Sequence, residues 1–112
     1  MMKESEEIYL RHIFDAIKNI EKYTINIDYN QFQKNSMVYH AVIYQILVIG
    51  EAVKNLSEEL KDEYPSIPWR NIAGTRDRLI HGYFEIQLNE IWKVVTTDLN
   101  DLKNVISSIL ED

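Results

Sequence analysis

Residues 88–110 read LNEIWKVVTTDLNDLKNVISSIL, and their apolar positions decide the fold class. Leu88, Ile91, Trp92, Val95, Leu99, Leu102, Ile106 and Ile109 follow one another at spacings of 3, 1, 3, 4, 3, 4 and 3. Steps of three and four residues return a side chain to the same face of an α-helix. The stretch therefore predicts one amphipathic helix over about Leu88 to Leu110. Its stripe needs other helices to cover it.

Working outward, the same periodicity recurs. Asn35 or Ser36 starts a helix expected to reach about Leu60, with Val38, Val42, Ile46, Ile49, Val53, Leu56 and Leu60 as its main stripe. Ala41, Ile43, Leu47 and Val48 widen that stripe. A helix apolar on more than one side is central in its bundle or faces a second subunit. Gly50 lies in its middle at a cost of roughly 1 kcal/mol against Ala, so a neighbouring backbone is expected to approach there. At the N-terminus, Ser5 is expected to cap a helix carrying Glu6 and Glu7 in its first turn and Leu10, Ile13, Phe14, Ile17 and Ile20 on one face. Residues 25–35 read as a connection with one helical turn near Tyr29–Phe32. Pro65 ends the second helix, and Pro68 suits the first turn of another. That fourth, shorter helix is expected to break at Gly74, with Thr75 capping a new turn that carries Arg76 to Ile80 and ends at Gly82. No alternating run demands a sheet. The fold class is all-α, an antiparallel four-helix bundle of three long helices and one short broken one.

Composition bounds the rest. The 112 residues are expected to form one domain (1–112), and 46% hydrophobic residues suffice for a core. The absence of cysteine excludes disulfides and thiolate metal sites and suits a reducing cytosol. The charged N-terminus has no signal-peptide character, and the apolar run Ala41 to Ile49, broken by Gln45, is shorter than the ~20 residues that span a bilayer. A soluble cytoplasmic protein without a membrane partner is expected. A net charge of −6 argues against a general nucleic-acid coat. The sign reverses locally, since Arg70 to Tyr83 contains three Arg and one Asp.

The chemistry concentrates in Thr75-Arg76-Asp77-Arg78-Leu79-Ile80-His81-Gly82-Tyr83-Phe84. Arg76 and Arg78 offer planar donors for phosphate oxygens, and His81 is the side chain type that moves protons near neutral pH. Asp77 and His81, four apart, share a helical face, so the carboxylate is expected to hold the imidazole. Arg76 and His81, five apart, diverge by roughly 140° about the axis. One copy does not aim both at one phosphate unless the arginine bends round, whereas a two-fold dimer would gather two of each in one cleft. Read without a family, Arg76 and Arg78 are first of all solvated charges pairing with nearby acids, while His81 is compatible with a helix-end histidine and Tyr83 with packing. His12 and His40 read as structural, and the scattered tyrosines as packing rather than base-stacking groups. The histidines lie far apart in sequence and no glycine-rich phosphate loop is present, so neither a metal nor another cofactor is expected.

Arg76-x4-His81-Gly82-Tyr83-Phe84, preceded by Tyr64-Pro65-x-Ile67-Pro68-Trp69-Arg70-x-Ile72-Ala73-Gly74, by Ile49-Gly50-Glu51-Ala52-Val53 and by Tyr9-Leu10, resembles the HepT-like toxins of the HEPN ribonuclease superfamily. The resemblance covers nearly the whole chain. It implies a HEPN-type bundle forming a homodimer that cleaves RNA without a metal. Arg76 and His81 would then be catalytic, with Asp77 and Arg78 supporting them. It further implies a toxin of a type VII toxin–antitoxin system. Its partner, a minimal MNT-type nucleotidyltransferase antitoxin, would neutralise it by AMPylation of Tyr83. Two positions depart from the family pattern: Glu85 stands where Gly is common, and Gln87 where Asp is common. A rival reading is a catalytically weak adaptor, or a nucleotide-binding partner, of the same transferase.

Overall fold

The computed structural model describes residues 4–82 and 87–111, and the described residues contain helices and no strands. The order is α1 (Glu4–Thr24), α2 (Tyr29–Lys34), α3 (Ser36–Lys54), α4 (Glu58–Glu63), α5 (Trp69–His81) and α6 (Leu88–Lys93). A π-helical segment (Val94–Asp98) then leads into α7 (Leu99–Glu111). The all-α bundle expected from the periodicity is what forms. Helix α3 is its centre, packed against α1, α2 and α5, and α7 lies against α1. The core joins Leu10, Ile13 and Ile17 of α1 with Val42, Ile46 and Ile49 of α3, Ile72 and Leu79 of α5, and Leu102 and Ile106 of α7.

Local chemistry sets the boundaries, and several differ from the sequence expectation. The turn near Tyr29 is a real helix, fixed by a capping box in which Asp28 accepts from the Gln31 amide and Gln31 accepts from the Asp28 amide. Asn35 caps α3 by accepting from the Val38 amide. Helix α3 ends at Lys54, not near Leu60. Ser57 accepts from the Leu60 amide and starts α4, and the buried Glu6 accepts from the Ser57 amide at 2.7 Å. Leu56 and Leu60 remain in the core, which is why their spacing mimicked a continuous helix. Ser5 lies inside α1 rather than capping it.

Helix α5 runs through Gly74 without a break. Thr75 is buried inside it and donates its hydroxyl to the Asn71 carbonyl, so it caps nothing. Trp69 anchors its start by donating its indole N–H to the carbonyls of Lys61 and Tyr64. The irregularity falls instead in the last helix. Val94 and Leu99 are both buried although five residues apart, and the π-helical segment supplies that step. Gln87 stands at the N-cap of α6 with extended backbone but no side-chain cap bond.

The outer face of α3 is apolar and uncovered. Met37 is 82% exposed and Tyr44 63% exposed, with Val48 half-buried on the same stripe. By length and composition alone α3 would pass as membrane-spanning. Its inner face is accounted for by the core, and its outer face is left open.

Candidate functional site

The site begins at a contact between two helices. A Cβ built on Gly50 would stand 2.2 Å from the Cβ of Arg76 and 2.8 Å from its Cγ. Glycine is therefore required for α5 to lie against α3. What approaches Gly50 is the stem of Arg76 itself, a sharper outcome than the backbone contact anticipated. With its stem pressed on α3, Arg76 is held at its head by Glu51 at 2.8 Å and by Asp77 at 3.0 Å. Its side chain is only 22% exposed.

Asp77 does not hold His81. Its carboxylate accepts from Lys54 at 2.9 Å and from Arg76. The hydrogen bond from Lys54, and then that from Arg76, draw its pKa below the ordinary carboxylate value. The expectation failed because Asp77 shares a face with Lys54 across the helix interface as well as with His81 along its own helix, and the ammonium is the stronger partner. His81 is exposed at the last turn of α5, which Gly82 terminates by donating its amide to the Arg78 carbonyl. Arg78, two residues from Arg76, points to another side of the helix and pairs with Glu90 of α6. That pair brackets the connection between α5 and α6. Tyr83 and Glu85 lie outside the described residues.

Arg76 opens onto a groove of about 350 Å³, with α3 as its floor through Leu47, Val48 and Glu51. Tyr9 and His12 of α1 form one wall, and Arg76 and Ile80 of α5 the other. His12 sits edge-on to Tyr9, with ring centroids 6.3 Å apart. Sequence reading left His12 as structural and did not single out Glu51 or Lys54. The signal for the last two was present in the opposite charges one and four residues after Gly50 on the helix that receives Arg76. For His12 there was none, since it reaches the groove only through the α1–α3 packing.

Comparison with known proteins identifies the family. The sequence model of the family described as "Ribonuclease HepT-like" matches residues 13–109. The "Probable ribonuclease HepT" of Thermococcus cleftensis is 41% identical over 102 residues, covering 91% of this chain and 93% of that protein. A "Gamma-glutamylcyclotransferase and putative RNase" of Methanocaldococcus jannaschii is 40% identical over 111 residues. The match takes in 99% of this chain but half (50%) of that relative's length. No solved structure matches the chain.

Proposed function

This chain belongs to the ribonuclease HepT-like family, and we propose that it is a metal-independent endoribonuclease acting as a homodimer. One observation carries the reading. The Arg76-x4-His81 pair of that family stands at the end of one unbroken helix, with Arg76 locked on Gly50. In RNA cleavage by 2′-OH attack, one group takes the hydroxyl proton and another gives a proton to the departing 5′ oxygen. Negative charge builds on the phosphoryl oxygens in between. His81 is assigned the proton transfers. Arg76 is assigned the charge stabilisation, using the N–H groups of its fork not engaged by Glu51 and Asp77. Asp77 orients the guanidinium. Arg78 supports His81 through Glu90, by fixing the helix end on which the imidazole sits. The products are a 2′,3′-cyclic phosphate and a 5′-hydroxyl, and DNA is refused for want of the 2′-OH.

The helix geometry supports a second copy. Arg76 and His81 diverge, and no hydrogen bond joins them. The uncovered apolar stripe of α3 runs beside the groove, with Ile80 49% exposed on the adjoining helix. A partner seated there buries that stripe and brings a second α5 alongside, giving two histidines and two arginines per cleft. In the fuller reading the chain is the toxin of a type VII toxin–antitoxin pair in the cytoplasm. An MNT-type nucleotidyltransferase attaches AMP to Tyr83, two residues from His81, where the added phosphate charge shuts out RNA.

One observation favours a rival. Arg76 is already neutralised by two carboxylates, as in a protein that only docks against a transferase. Purified protein incubated with RNA in EDTA separates the two. Cleavage that is lost in His81→Ala and Arg76→Ala supports the ribonuclease, and no cleavage by the wild type supports the adaptor. For the modification, mass spectrometry after incubation with the transferase and ATP should find the nucleotide on Tyr83. Nucleotide on Tyr9 or Tyr64 instead would refute that assignment.

A further inference from the structure

Two glycines lie inside long helices of this chain, and only one is explained by packing. Gly50 makes room for Arg76, whereas a Cβ on Gly74 would meet nothing within 4 Å. A mid-helix glycine facing open space weakens its helix and serves no neighbour within the described residues. Its position is informative. Gly74 opens into a groove of about 890 Å³ between α4, the Pro65–Pro68 link and α5. Arg70 and Arg78 stand four residues to either side of it and line the same groove, so the three form one stripe along α5. Three residues past Arg78, His81 falls on that stripe too. At its C-terminal end this stripe therefore reaches the candidate catalytic imidazole. The stripe is roughly 17 Å long from Arg70 to His81 at the helical rise.

We propose that the α4–α5 groove binds a single-stranded RNA backbone and guides it along α5 to His81, with Gly74 letting the strand approach the helix closely between Arg70 and Arg78. The groove carries Lys61, Arg70 and Arg78 against Glu58 and Asp62, in a chain of net charge −6. Lys61 is held by Glu58 at 3.5 Å and Arg78 by Glu90, while Arg70 is exposed and forms no ion pair among the described residues. Arg70 is thus the cation free to take a phosphate. A protein partner fits this groove poorly. The large exposed hydrophobic side chains, Met37 and Tyr44 among them, lie outside it. The inference rests on the ribonuclease reading for what happens at His81, but strand binding is measurable without cleavage.

The probe is a fluorescein-labelled 2′-O-methyl RNA 12-mer, which keeps every phosphate and cannot undergo 2′-OH attack. Its affinity is read by anisotropy across a salt series, beside thermal melts. Arg70→Ala should bind about tenfold more weakly, with a salt slope shallower by about 0.7. Gly74→Ala should melt a few degrees higher than wild type yet bind more weakly, and Gly74→Leu, which fills the groove with a good helix former, more weakly still. Lys103→Ala, a cation paired with Glu21 away from the groove, should bind as wild type. Wild-type affinity in Arg70→Ala and both Gly74 variants would overturn the proposal, as would failure of the wild type to bind the 12-mer. Failure of the wild type to cleave unmodified RNA, with the groove variants still weakened in binding, would count against the ribonuclease reading alone.

Discussion

At the scale of single residues, the molecule turns on the contact of Gly50 with Arg76. Gly50→Ala forces a methyl to within 2.2 Å of the Arg76 Cβ, so either α5 or the arginine must shift. A loss of about 1–3 kcal/mol in urea unfolding is expected despite the better helix propensity of alanine, together with reduced RNA cleavage. An unchanged or increased midpoint would show that the contact is loose. Asp77 makes a pH prediction. Its folded pKa lies below its unfolded one, held down by Lys54 and Arg76. The pairing therefore contributes above the ordinary carboxylate range and is lost as pH falls through the folded value. Stability should drop on acidification below about pH 4, and Asp77→Asn should flatten that part of the profile. Arg76, Asp77, Arg78 and His81 were all legible in the sequence as a cluster. Their partners were not. Asp77 was assigned to His81 because helical spacing reveals neighbours along one helix and nothing of what the next helix brings, here Lys54.

At the scale of elements, every long helix was readable from its apolar period. The errors fell where packing overrode local cues. Leu56 and Leu60 keep the stripe of α3 going after the helix has stopped, since both enter the core from a separate capped turn. Gly74 looked like a break, but α5 is anchored on both sides of it by Trp69 and Leu79. The π-helical segment was invisible because Val94 and Val95 are adjacent valines and spacing favoured the wrong one. Val94→Ala should cost roughly 2 kcal/mol and Val95→Ala clearly less. The reverse order in denaturant melts would mean that the helix runs straight through. Gln87 offers a gain: its backbone is extended as an N-cap requires, yet its side chain makes no cap bond. Gln87→Asp should stabilise by about 1 kcal/mol, and no shift in the melt would show that this end of α6 is not limiting.

At the scale of the whole molecule, the two faces of α5 divide the work. One side seats Arg76 against α3, and the other presents Arg70, Gly74 and Arg78 to the open groove, with His81 next on the same helical stripe. The apolar stripe of α3 borders the Arg76 groove at Val48 and is where we propose that a second copy sits. Tyr44→Glu should leave the helical content intact, shift the sedimentation coefficient from dimer to monomer and abolish cleavage. A dimer that survives this substitution would move the interface elsewhere. The central claim is that Arg76 and His81 cleave RNA without a metal, and its most direct test is single-turnover cleavage of RNA in EDTA, with the product ends analysed. Wild-type protein should yield 2′,3′-cyclic phosphate ends, with the rate at least 100-fold lower in both His81→Ala and Arg76→Ala. Equal cleavage by all three proteins, or cleavage by the wild type only when a divalent metal is restored, would contradict it.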